Sequence, residues 1–313
     1  MEHLHLTRED NVLVTGYARL GPHTFLLSGR WPRDDAVAAD DPRVLTHAVR
    51  QSGLAVAHAE YGVPLHHQTL LHSLDFSFAP APRAAGRPAA PLLIEADVLG
   101  APRPGRTLRS LAMAVRLVRD GAAVVEARAR FGWVSPAVYR RLRGDRVTPA
   151  GTWGAGPVPA PAAPGAVGRA RRENVVLAPG PGPRVWRLRA DVTDTLLFDH
   201  PVDHVPGLVL VEAALQAAHA HAPGLGIRTV ACDYERFAEL DAPCWIVSRA
   251  ERPPRPDGRT VIEVDGTQGG RPVFRVAVGG TLPVAGAAAP PPATRNGAPV
   301  PLAARDVAAC ALP

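Results

Sequence analysis

The stretch FDHPVDHVPGLVLVEAALQAAHA, residues 198–220, decides the fold. His200 and His204 precede a Pro206-Gly207 turn. An Ala-rich apolar run follows, and it carries a single acid, Glu212. Pro206 suits the first helical position and Gly224 marks the far end, so the spacing predicts a helix over 207–224. A helix that is apolar nearly all round has to be covered on most sides. The segments IRTVACDYERFAEL (227–240), CWIVSRAE (244–251), RTVIEVDG (259–266) and RPVFRVAVGGTL (271–282) read as the strands that cover it, several by clear alternation. RVWRLRADV (184–192) reads as one more strand ahead of the helix.

The first half repeats this order. RVLTHAVRQSGLAVAHAEYG (43–62) is an apolar helical pattern with Asp40-Asp41-Pro42 as its start signal, and HTFLLSGRW (23–31) is strand-like before it. TLLHSLDFSF (69–78), PLLIEADVL (91–99), LRSLAMAVRLV (108–118) and AAVVEARARFGWV (122–134) follow as strands. LRSLAMAVRLV fits a helix by period but lies between turns at PGR and DGA, which favours strand. Laying Gln51 on Gln216 aligns THAVRQSG with VEAALQAA. The order is α+β. A curved antiparallel sheet wrapped around one long central helix is the hotdog arrangement, and the sequence predicts two in tandem. Residues 1–147 form the first domain and 169–284 the second. The Pro/Gly/Ala-rich stretch 148–168 is a linker and 285–313 a flexible tail.

A chain of 313 residues fits two domains. No apolar run reaches the roughly 20 residues of a membrane span, and no leader is visible, so a cytoplasmic protein is expected. Cys232, Cys244 and Cys310 fit no metal spacing and read as free thiols. All 35 basic residues are arginine. Without lysine there is no Schiff base and no phosphate-loop lysine. The net charge of +6 favours acidic partners. No basic run interleaved with aromatics suggests nucleic acid. No cofactor or metal is expected.

On a helix, Glu212 and Gln216 share a face one turn apart. Burial raises a carboxyl pKa, which makes Glu212 a candidate general acid or base. The alternative is an acid paired with an arginine that only locks the helix in its sheet. His47, Arg50 and Gln51 share a face of the first helix by the same spacing. In a double hotdog the two helices lie side by side, so sites would form between the repeats. Arg50 could hold a phosphate or an enolate oxygen, or pair with Glu60 or Asp75. His200 and His204 are spaced for a metal only on a helix; the flanking prolines predict a loop. One of them would then sit at the helix mouth. Gly207 lets a ligand approach the free amides of a helix start.

DDPRVLTHAVRQSGLAVAHAEYGVPLHHQTLL (40–71) and LLFDHPVDHVPGLVLVEAALQAA (196–218) resemble the two repeat motifs of the A-factor biosynthesis proteins, the γ-butyrolactone synthases of actinobacteria. CDYERFAELDAPCWI (232–246), SPAVYRRLRGD (135–145) and RRENVVLAP (171–179) support the likeness, which spans all but the tail. The resemblance implies an acyltransferase. It would move a β-ketoacyl group from acyl carrier protein to the hydroxyl of dihydroxyacetone phosphate, on the way to a butenolide. A homodimer is compatible with it. Family helices read Glu-x-x-Arg-Gln in both repeats. Here the first has His47 in place of the acid and the second has Leu215 in place of the arginine, so either the substrate has changed or the repeats divide the work, unless activity is lost. The resemblance implies that Glu212 or His47 deprotonates the acceptor. Arg50, with Arg171 or Arg172, would neutralise its phosphate. Gln51, Gln216, Gly207, His200 and His204 would line the substrate. A dehydratase, a thioesterase or a non-catalytic acyl- or lactone-binding protein are the alternatives on the same fold.

Overall fold

The computed structural model describes residues 2–30, 41–79, 92–100, 108–119, 121–147, 156–252, 255–283 and 310–311. Strands β1 (Val14–Arg19) and β2 (Thr24–Gly29) precede helix α1 (Pro42–Tyr61). Strands β3 (Gln68–Phe78), β4 (Leu92–Leu99), β5 (Ser110–Arg119) and β6 (Ala122–Val134) follow, then a short helix α2 (Pro136–Arg143). The second half repeats the plan. It has β7 (Leu177–Pro179), β8 (Val185–Leu188), α3 (Gly207–His221), β9 (Gly226–Tyr234), β10 (Cys244–Ala250), β11 (Arg259–Gln268) and β12 (Arg271–Thr281).

These strands form one antiparallel sheet in the order β1-β2-β4-β5-β6-β3-β9-β12-β11-β10-β8-β7. The order reads the same from both ends when each strand is exchanged for its counterpart in the other half. The halves meet where β3 pairs with β9, Leu74 opposite Cys232 and Phe76 opposite Val230. The expected tandem of helix-wrapping sheets is thus present as a single continuous sheet. Cys310–Ala311 (β13) adds a two-residue pairing to β1; the rest of the expected tail, 285–313, lies outside the described residues. Of the expected linker, 148–155 lies outside them too. The remainder packs on the second half: the Ala162 amide bonds the Leu177 carbonyl, and Val167 is buried.

Local chemistry explains both long helices. Asp41 caps α1 by accepting from the Arg43 amide, Pro42 opens the first turn and Gly62 closes the helix at φ 60°. Apolar side chains bury nearly the whole of α1 and α3 against the concave sheet. Gly53, mid-helix, admits the ring of Phe131 from β6; a Cβ there would lie 2.4 Å from that ring.

The two glutamines do the same structural job in each half. Gln51 Oε1 accepts from the Leu13 and Val14 amides while its Nε2 donates to the Asn11 carbonyl. Gln216 Oε1 accepts from the Val176 amide and its Nε2 donates to the Asn174 carbonyl. Each ties its helix to the segment that leads into the edge strand. Such buried backbone groups are costly if left unpaired.

Candidate functional site

Helices α1 and α3 lie in contact, and a cavity of about 730 Å³ opens between the halves. The first half lines it with His5, His47 and Arg50, the start of β3, and Leu142, Arg143 and Arg146 at the end of α2 and just after it. The second half adds residues 197–210 in part, including His200, His204 and Gly207, and the loop after β9. Of the expected site residues, the structure brings His47, Arg50, His200, His204 and Gly207 together on this cavity.

Arg50 makes no hydrogen bond or ion pair with any described residue. Burial pulls its pKa down to about 10, and the nearby Asp199 offsets this only in part. Glu60, one partner expected for it, is instead bound by Arg19. One turn away on α1, His47 is only 5% exposed. Neither of its ring nitrogens is in hydrogen-bond geometry with a described residue, although the Leu196 backbone lies close. Burial first and the Arg50 charge second push its pKa down to about 3, so the ring is neutral. His5 stacks on His58 at 4.7 Å and is likewise held neutral, at about 3, by burial and by His58. Arg50, with no direct partner among the described residues, thus stands beside two neutral imidazoles on this wall, and the carboxylates that also line the cavity, Asp199, Glu235 and Glu239, make no hydrogen bond to it.

Asp199 staples the halves together. It accepts from the Thr7 amide and hydroxyl, the Arg8 amide and the Asn11 side chain, and it also bonds His200 Nδ1 at 3.1 Å. Asp203 stands in the same relation to His204, with Oδ1 2.6 Å from Nδ1. Tyr139 of α2 donates to the same oxygen at 2.7 Å. Arg143 reaches Asp203 Oδ2 at 3.3 Å and holds Glu239 through two bonds of 2.7 and 2.8 Å. Burial works against the Asp203 charge, but bonds from His204 and Tyr139 and the Arg143 charge outweigh it and bring the pKa down to about 2.

Three residues beyond His204, α3 begins at Gly207 with no side chain capping its first turn. Gly207 and Leu208 at this helix start line the cavity, which puts the positive end of the helix dipole beside it. The site is tight at this glycine: a Cβ at 207 would lie 3.0 Å from the Tyr234 ring, whose hydroxyl donates to the Gly207 carbonyl.

Glu212 is placed elsewhere. It is 1% exposed and does not line the cavity. Arg169 grips both its oxygens, Nε to Oε1 at 2.6 Å and Nη2 to Oε2 at 2.7 Å, and Gln216 Nε2 donates to Oε1 at 2.6 Å. In the structure this carboxylate is one half of a buried ion pair, the alternative the sequence left open, and it faces no part of the cavity. Gln51 and Gln216 are spent on backbone, as above, and line no part of the cavity. Arg171 and Arg172 are exposed and also off it; Arg171 pairs with its neighbour Glu173. His5, Tyr139, Arg143, Asp199 and Asp203 were not singled out from the sequence. The only signal for them is an aspartate directly before each histidine in DHPVDH (199–204). Among the described residues no group of three His, Cys, Asp or Glu side chains is arranged to hold a metal, and no helix is long and apolar enough to cross a membrane.

The model of the A-factor biosynthesis hotdog domain matches residues 1–135 and 154–282. A 2-oxo-3-(phosphooxy)propyl 3-oxoalkanoate synthase of Streptomyces virginiae is 40% identical over 288 residues, covering 89% of this chain and 96% of that protein. Its namesake in Streptomyces coelicolor is 34% identical over 296 residues, covering 88% and 90%. Among solved structures, an acyl-ACP thioesterase from Bacteroides thetaiotaomicron is 13% identical, with a TM-score of 0.49 over 82% of this chain and 96% of that one.

Proposed function

The chain belongs to the A-factor biosynthesis hotdog family, and on that premise we propose how it makes the ester named for its relatives. The protein is an acyltransferase that joins a 3-oxoacyl group to the hydroxyl of dihydroxyacetone phosphate, giving the 2-oxo-3-(phosphooxy)propyl ester from which a butenolide is built. The observation that supports the site assignment is the Arg50 guanidinium on the cavity between the halves, without a partner among the described residues, with the uncapped start of α3 on the same cavity.

Arg50 takes the phosphate of the acceptor. A guanidinium whose charge is less screened than in bulk water attracts a phosphate more strongly. A bound dianion would also offset the Arg50 charge, the lesser of the two causes that hold His47 neutral, and the one N–H of the neutral ring can donate to phosphate. His200, on the same wall, joins this anion subsite. The amides of Gly207 and Leu208 polarise the thioester carbonyl and hold the oxyanion that forms on attack.

The donor is a carrier-protein thioester, delivered in the cytoplasm. Arg146, Arg236 and Arg271 line the cavity and suit an acidic carrier. A homodimer belongs to the same proposal and is read by sedimentation. Product analysis tests the reaction: purified protein is mixed with a 3-oxoacyl carrier thioester and dihydroxyacetone phosphate, and mass spectrometry follows the products. The phosphorylated ester is expected. Enoyl thioester, or free acid with no ester, would overturn the reading.

A further inference from the structure

The geometry points to His204, held by Asp203, as the general base of the acyl transfer, a role that rests on the reaction proposed above. His204 lines the cavity three residues before Gly207, whose amide would face the reacting carbonyl. Its Nδ1 lies 2.6 Å from an Asp203 oxygen. Asp203 is ionised and can only accept, so the Nδ1 atom that faces it carries a proton. The Nε2 atom is left with its lone pair and with no hydrogen-bond partner among the described residues.

A carboxylate on one nitrogen of an imidazole and a free lone pair on the other is the arrangement that fixes tautomer and orientation in nucleophile-activating dyads. The support behind it is unusually complete. Tyr139 donates to the same Asp203 oxygen at 2.7 Å, and Arg143 donates to the Asp203 carbonyl at 2.9 Å and to Oδ2 at 3.3 Å. Glu239 fixes Arg143 in turn, and the Phe237 ring packs edge-on against His204 at 4.8 Å. Tyr139 and Arg143 come from α2 of the first half, so neither half carries the dyad and its support alone.

His200 has the same neighbour relation to Asp199 but not the same freedom. Asp199 also serves four other donors, from Thr7, Arg8 and Asn11, and its bond to His200 is longer, at 3.1 Å. His200 also lies near His5. His200 therefore belongs with the anion subsite and His204 with the hydroxyl.

The step balances without any added reagent. Nε2 of His204 takes the proton of the acceptor hydroxyl as its oxygen bonds to the thioester carbon. The carbonyl π electrons move to oxygen, facing the α3 amides. The oxyanion collapses, the carbonyl re-forms and the C–S bond breaks. The imidazolium then returns its proton to the departing thiolate. Asp203 stays ionised throughout and is a positioning residue, as is Tyr139.

The test is steady-state acyl transfer by wild type, His204→Gln and Asp203→Asn, with ester and released thiol measured separately. Loss of a positioned general base costs about 10²- to 10⁴-fold in rate. For His204→Gln that loss is expected in kcat, with KM for both substrates within about twofold. Asp203→Asn keeps the shape of the pair, so it reports even if His204→Gln fails to fold. It is expected to lose at least about 100-fold in kcat with KM unchanged. Ester formation by wild type together with a near-normal kcat in either folded variant would overturn the dyad alone. Wild type that releases thiol without forming ester would overturn both the acyl-transfer reading and the dyad's place in it.

Discussion

Replacing Glu212 by alanine separates a structural acid from a catalytic one. In the structure its carboxylate is 1% exposed and bridges Arg169, whose side chain is 18% exposed, through two bonds of 2.6 and 2.7 Å. Burial alone would lower the Arg169 pKa; the Glu212 charge outweighs it and holds the group above its ordinary range. Removing the acid strands that guanidinium inside the protein. Breaking a buried pair by deleting one partner costs about 3–5 kcal/mol. For a cooperative unit of this length that lowers Tm by roughly 5–8 °C. Replacing both partners, Arg169→Met with Glu212→Leu, should restore most of the loss, because no buried charge is left unpaired. Urea unfolding followed by circular dichroism gives the stabilities, and acyl transfer per folded molecule at low temperature gives the activity. Glu212→Ala is expected to be unstable but, where folded, active to within several-fold. A variant as stable as wild type whose turnover is gone would refute this reasoning and return Glu212 to the chemistry.

Other outcomes follow from the same geometry. His47 and His5 fold with pKa values of about 3, whereas an unfolded histidine titrates near 6.5. The unfolded chain therefore binds more protons between those values, and stability falls as pH drops from about 6.5 towards 3. His47→Gln should flatten this slope by up to about 1.4 kcal/mol per pH unit, read from urea midpoints at pH 6 and pH 4. An unchanged slope would mean the ring is not buried neutral. Gln51→Leu strands the Leu13 and Val14 amides and the Asn11 carbonyl. It should cost about 3 kcal/mol or more in chemical unfolding, and a variant as stable as wild type would count against the clasp.

The two long helices and most of the long strands were legible because periodicity is a local property of the chain. The missed elements are those too short to show a period. β7 has three residues, β1 is interrupted by Gly16, and α2 has only eight residues behind the Ser135-Pro136 start. The site was legible by residue type and not by partner. Glu212 stands out as an acid in an apolar helix, but whether it is free depends on Arg169, 43 residues upstream. Arg50 stands out for the same reason, and its lack of a partner among the described residues is a fact of packing that no spacing encodes. The histidines before Pro206 were visible. Tyr139 and Arg143, which fix the second of them through Asp203, come from a helix the sequence did not reveal.

The central claim is that Arg50 holds the acceptor phosphate in the cavity between the halves. Calorimetric titration of dihydroxyacetone phosphate into wild type and Arg50→Met measures it directly. A lost charge-assisted bond is worth about 1.5–3 kcal/mol, so binding should weaken about 10- to 100-fold. The variant's Tm should be at or above that of wild type, because a half-buried cation with no partner among the described residues has been removed. Equal affinity in the two proteins would contradict the account.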